Sequence, residues 1–375
     1  MKHKIIFKAI ALLAIACALY AFSILQEVDN YSFNSQAELL DRSPEIQLGI
    51  EWDQVQNDYG SLVQKLNADH DDAMSAVRLA HLFIKEARVT GEHGHYYPAA
   101  LDLLNGNLEK DKITKDEQFL TLMTKAGVQL SLHDFSDALE TGTAAALINP
   151  ANAQIHGVLV DANVELGNYE KAIALVDRMV QLRPDLRSYS RVSYLRQING
   201  DLDGAIDAMI MAVKAGVPGS EETAWAMLTL GEIYLDMGRV EEAQSTFEAI
   251  LSQRPNYPFA VAALGDVAMA NQDLVSAERY YQEAIDIIPE VGFYISLAHL
   301  YKGQGRLAEA DALADEILVM LKDDTDSGHN MNLEYADVYL TLIEDPGKAQ
   351  YYAQAEYQKR SANRDVKNMY NRTIN

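Results

Sequence analysis

Apolar positions recur along the chain at the three- and four-residue spacing of amphipathic helices, and the helices themselves recur at a fixed period. Trp52, Val55, Tyr59, Leu62, Val63 and Leu66 form one helical face. Between Ala224 and Glu290 the pattern Leu230-Gly231-x-x-Tyr234, Ala243, Phe247, Pro255 is repeated as Leu264-Gly265-x-x-Ala268, Ala277, Tyr281, Pro289, each matched pair 34 residues apart. The small residues Gly231 and Ala243 predict the close crossing of two antiparallel helices, and Tyr234 and Phe247 the bulk that fills the hairpin. Pro255 marks the end of the second helix, which it cannot continue. Each such hairpin leaves an apolar face open, so neighbouring hairpins must stack.

The second-helix alanine returns at Ala138, Ala172, Ala205, Ala243, Ala277 and Ala310, with gaps of 34, 33, 38, 34 and 33 residues. Prolines fall at Pro150, Pro184, Pro218, Pro255 and Pro289, five of the nine in the chain, which rules out random placement. Turn residues sit inside the hairpins at Gly167-Asn168, Gly200-Asp201, Gly238-Arg239, Asn271-Gln272 and Gly305-Arg306. The 38-residue gap holds the insert Gly216–Ser220, and Ser220-x-x-Thr223 marks the start of the following helix. The in-phase set of small residue, aromatic and proline at this period resembles the tetratricopeptide repeat. The resemblance implies an all-α, right-handed superhelical solenoid of helix-turn-helix hairpins.

With that ruler the chain divides into an apolar leader at 1–26, a polar linker at 27–49, a capping helix at 50–70, an array of about eight hairpins at 71–360 and a terminal helix at 361–375. Regular units fall near 119–152, 153–186, 187–219, 224–257, 258–290 and 291–323. Two places depart from the period. The first hairpin has a long turn from Thr90 to Pro98, and the phase slips between Lys322 and Gly328. The last run, Asp365 to Ile374, is either a cap or the first helix of a unit whose partner is absent.

The formal charge of −24, from 31 basic and 55 acidic residues, disfavours nucleic-acid binding and docking on anionic membranes. Lys2, Lys4 and Lys8 precede an apolar run from Ala9 to Leu25, the pattern of an export signal. Three outcomes stay open for it: a retained membrane anchor, cleavage after Ala14-x-Ala16, or lipidation of Cys17. Each places the array outside the cytoplasmic membrane, periplasmic or extracytoplasmic, with any membrane contact made only through this segment. Cys17 is the only cysteine, so the array carries no disulfide.

No phosphate-binding glycine loop, H-E-x-x-H, G-x-S-x-G or paired-cysteine zinc pattern occurs, and neither catalysis nor a cofactor is expected. The array's concave face is the expected site. The resemblance implies that the first helix of each unit lines that face, its ninth position reading Gly127, Asp161, Tyr194, Glu232, Asp266 and His299. With neighbouring positions the expected partner-binding residues are Asp161, Glu165, Arg191, Tyr194, Gln197, Glu232, Asp236 and Asp266. The Lys, Arg and Asn clamp by which family members grip a terminal carboxylate is missing, and the acidic groove suits a basic, extended polypeptide. Arg196 stands where the family usually has a large apolar residue, which predicts an internal ion network with Glu165, Asp207 or Glu232. A second reading takes His93 and His95, an H-x-H in the long turn, as a metal-binding loop of an accessory protein, with His70 or His81 as a third ligand. Self-association through an exposed end is a third.

Overall fold

The computed structural model describes residues 37–374. The leader at 1–26 lies outside them, and no helix among the described residues is long and apolar enough to cross a membrane. The described chain is all helix: a first helix α1 (Gly49–Ala68), then eight antiparallel hairpins, then a last helix α18 (Arg364–Ile374). The hairpins are α2 (Ala73–Thr90) with α3 (His93–Leu108), α4 (Lys115–Ser131) with α5 (Phe135–Ile148), α6 (Ala153–Glu165) with α7 (Tyr169–Leu182), and α8 (Leu186–Ile198) with α9 (Leu202–Ala215). They continue as α10 (Glu221–Asp236) with α11 (Val240–Gln253), α12 (Pro258–Ala270) with α13 (Leu274–Ile287), α14 (Val291–Gly303) with α15 (Leu307–Asp326), and α16 (Asn332–Thr341) with α17 (Pro346–Arg360). Even-numbered helices touch one another from unit to unit, α2 on α4, α4 on α6, α6 on α8 and α10 on α12, so they form the inner layer of a solenoid.

The repeat residues pack as their types require. A Cβ on Gly231 would collide with the Phe247 ring, and one on Gly265 would stand 2.5 Å from the Tyr281 ring. Ala243, Phe247 and Ala277 are wholly buried. Helix starts use local caps: Asp185 accepts from the Ser188 amide, Ser220 from the Thr223 amide, and Thr114 forms a reciprocal box with Glu117. Gly231→Ala is expected to lower unfolding free energy by about 1–3 kcal/mol through overpacking against Phe247. Urea melting checks this; a loss below about 0.5 kcal/mol would show that the hairpin relaxes freely.

Three sequence expectations change. The stretch Thr90–Pro98 is not a long turn: Gly91, at φ 77°, ends α2, and α3 starts two residues later at His93. Pro98 falls inside α3 and removes one backbone bond, while the buried Tyr96, Tyr97 and Ala100 hold the helix in place. The phase slip after Leu321 is the prolonged α15, which runs 20 residues to Asp326. The described part of the expected linker, residues 37–48, is packed. Ala37, Arg42 and Ile46 are buried.

The solenoid also closes on itself. His133, at the α4–α5 turn, has its Nδ1 3.1 Å from the Asn330 carbonyl, which lies 197 residues later in the loop before α16. The Asn330 amide in return donates to the Leu132 carbonyl at 3.0 Å. Glu165, at the α6–α7 turn, accepts from Arg360 and Asn363, which follow it by 195 and 198 residues. Gly91 lies beside Glu290 and Ile288, and Gly167 against the Ala362 backbone. Gly167 has φ 78°, and any Cβ there would strike the Ala362 carbonyl carbon. The hairpin turns of the first units thus seat on the inter-unit loops about six repeats further on.

Candidate functional site

The inner layer presents the expected concave residues in two differently charged sections. Tyr194 is 40% exposed, with its hydroxyl 3.4 Å from Glu165. Asp161 is held by Arg191, whose Nε and Nη2 donate to its carboxylate at 2.8 and 2.5 Å. Glu165 accepts from Arg360 Nη1 at 2.6 Å. Asp161, Glu165 and Arg191 therefore already have charge partners within the chain. Gln197 is half-buried, and its side-chain amide nitrogen has no hydrogen-bond partner among the described residues.

Glu232, Asp236 and Asp266 differ. All three are exposed, on the facing helices α10 and α12. The crowded concave wall raises the Glu232 carboxyl above its usual range, and the charges of Asp266 and Asp236 push it further. Partial desolvation by the same wall likewise raises Asp266, against the hydrogen bond it accepts from the Tyr281 hydroxyl at 2.6 Å. Like charges share this wall, and among the described residues no basic side chain offsets the rise at Glu232 or Asp266. This is the uncompensated part of the groove.

The first unit carries the opposite character, which overall composition does not announce. Leu79-Ala80-x-x-Phe83 is in phase with Leu230-Gly231-x-x-Tyr234, so His81 corresponds to Glu232 and Lys85 to Asp236. A cleft of about 470 Å³ between α1 and α2 is lined by Lys65, Arg78, His81 and Lys85 together with Glu51 and Asp58. Burial lowers the His81 pKa, helped by Arg187. The signal is present in the repeat phase, but the irregular first hairpin hides it.

The expected Arg196 network is not formed. Arg196 is exposed and pairs at 3.1 Å with Asp201 in its own hairpin turn, because the side chain leaves the helix end towards solvent. Among the described residues the buried arginines are Arg42, Arg254 and Arg360, all at contacts between successive solenoid turns or beside them. The H-x-H pair is also separated. His93 and His95 lie on the first turn of α3, and residues two apart on a helix do not face each other. The ring of His95 reaches the Glu38 carbonyl at 2.8 Å, whereas His93 stacks on Tyr97 and faces His329. His81 meets Thr124 at 2.9 Å.

Models of the tetratricopeptide repeat match residues 129–197, 228–291 and 291–316. The chain carries tetratricopeptide repeats over these residues. The chain is similar over 94 residues, at 35% identity, to cellulose synthase operon protein C of Xanthomonas axonopodis pv. citri (strain 306). That match covers 25% of this chain and spans only 6% of the relative's length. Among solved structures, the APC/C hetero-tetramer Cut9–Hcn1 superposes with a TM-score of 0.53 at 16% identity, over 88% of this chain and 61% of that one. A thermophilic tetratricopeptide repeat protein of Thermus thermophilus aligns with 53% of this chain and 99% of its own at 22% identity, with a TM-score of 0.44. The tetratricopeptide fold is a protein-interaction scaffold and is typically non-catalytic.

Proposed function

We propose that this tetratricopeptide protein is a non-catalytic scaffold of the bacterial envelope that holds a basic, extended polypeptide against the α10–α12 part of its concave face. The observation that carries the reading is the wall of Glu232, Asp236 and Asp266, whose charges the chain itself leaves uncompensated. A lysine- or arginine-bearing segment would relieve that repulsion, and complementary charge raises both association rate and selectivity. Tyr194 and Trp225, both exposed and on the preceding and same helices, supply aromatic surface of the kind that anchors partners. The basic leader followed by an apolar run supports export of the array, and the likeness to a cellulose synthase operon protein agrees with an envelope setting.

A photo-crosslinking residue placed at position 232 in the full chain, expressed in its own cells, is expected to capture a partner that the same residue at the outer-face position Gln244 does not. Replacing Glu232 by Gln and Asp236 by Asn together is expected to weaken a fluorescein-labelled lysine-rich peptide by about tenfold at low salt, and much less at high salt. Equal capture from both faces, or peptide binding indifferent to charge, would remove the reading.

A further inference from the structure

We propose that His93, Asp324 and His329 form a binding site for a divalent transition-metal ion of the zinc class, which clasps the first hairpin to the seventh. The proposal is independent of the concave-face reading. One ligand atom from each of the three side chains lies within 4.8 Å of the others. They come from distant parts of the chain. His93 opens α3, Asp324 lies in the last turn of α15, and His329 lies in the loop before α16. The His329 amide donates to the Asp324 carbonyl at 3.0 Å, which folds the loop back over the helix end and brings the two side chains to one place.

His329 supplies the second observation. It is only 9% exposed, and neither ring nitrogen has a hydrogen-bond partner among the described residues. A neutral imidazole carries one donor and one acceptor, and burying such groups unmet is costly. Its surroundings are imidazoles and carboxylates. The His133 ring stands edge-on at 4.6 Å between centroids, and His93 approaches at 6.2 Å. The His93 ring is itself steadied by stacking on Tyr97.

The donor set selects the ion. Two imidazoles and one carboxylate suit zinc and its borderline neighbours, whereas calcium and magnesium favour oxygen alone. A tetrahedral zinc with ligands at about 2.1 Å would hold its donor atoms about 3.4 Å apart, so modest side-chain rotation closes the set. The fourth position falls to water, with His133 beside it. The carboxylates of Asp323 and Asp324 sit at the negative end of α15, where a cation is favoured.

The test uses the full chain freed of metal by chelation, with zinc alone in calorimetry and cobalt(II) as a spectroscopic probe. One equivalent of zinc is expected to bind at micromolar or lower concentration, and cobalt to give visible absorption of low-symmetry coordination. H329A, D324N and H93A should each lower affinity by about tenfold or more, while H95A should leave it unchanged. Zinc should raise the melting temperature of the parent chain and of H95A, but not of the three site variants. Because H329A empties a buried position, H93A at a half-buried one guards against misfolding as the cause. No stoichiometric binding, equal binding by all variants, or loss with H95A would each overturn the site.

Discussion

Arg360→Ala is expected to reduce stability by about 3–5 kcal/mol, because it strips the shared cation from two carboxylates at the seam between solenoid turns. Arg360 is buried, bonded to Glu356 one turn earlier on α17 and, at 2.6 Å, to Glu165 on α6. Its guanidinium also lies 4.6 Å from the Phe135 ring centroid. Burial works against the charge on Glu356, yet Asn330, Asn332 and Arg360 together hold its carboxyl below the usual range. Burial wins at Glu165, which is raised despite Arg360. Removing the arginine leaves Glu356 buried with only neutral donors. In a simple repeat array the damage would spread only to adjacent units. Here hydrogen exchange should quicken both near 330–363 and near 160–169, and the radius of gyration should grow. Faster exchange confined to the last units would show that the seam does not couple the turns.

Arg42→Ala is expected to have a comparable effect, about 3–5 kcal/mol, for the same electrostatic reason. The Arg42 and Glu86 side chains are both fully buried, and the guanidinium donates to both carboxylate oxygens at 2.8 and 2.7 Å. It also reaches Glu51 at 3.2 Å and the Ile46 carbonyl at 3.3 Å. This one side chain fixes residues 37–48, which in turn bridge remote units. The Ser43 hydroxyl donates to the Ile287 carbonyl at 3.2 Å, and Asn256 donates to the Glu45 carbonyl at 3.3 Å. Ile46 packs with Val89, Val261 and Ile288. Loss of Arg42 would leave the Glu86 carboxyl buried without its partner. The measurable results are an earlier urea transition and protease cutting within 37–48. The double variant R42M/E86L should recover much of the loss, since an apolar pair replaces an ion pair of similar volume. If the double variant is as unstable as the single one, the stranded charge is not the cause.

How much of this could be read from residues follows a physical division. Gly231, Phe247, Gly265 and Tyr281 act between two helices of one hairpin, at fixed sequence spacing, so period and residue type reveal them. The caps at Ser220 and Asp185 are local for the same reason. The exposed acids Glu232, Asp236 and Asp266 were legible through repeat phase, but their freedom was not: Asp161 and Glu165 have the same phase and are already paired. His329 gave no signal, since it lies far from His93 in sequence and outside any repeat position. Arg196 misled because an unusual residue at an apolar phase need not enter the interior when the helix ends beside a turn carboxylate.

The sequence by itself determined the hairpin, its period, its stacking and the acidic balance of the whole chain. These depend on contacts within about one repeat, and each is written again in every unit. Only the tertiary structure decided that the solenoid meets itself after about six repeats, that residues 37–48 lie in that seam, that Arg360 finds its carboxylate partners there, and that His93 and His329 come together. The superhelical pitch is the sum of small rotations between successive units, and no single repeat specifies it. The residues that meet when the turn closes come from loops, where the period imposes no pattern.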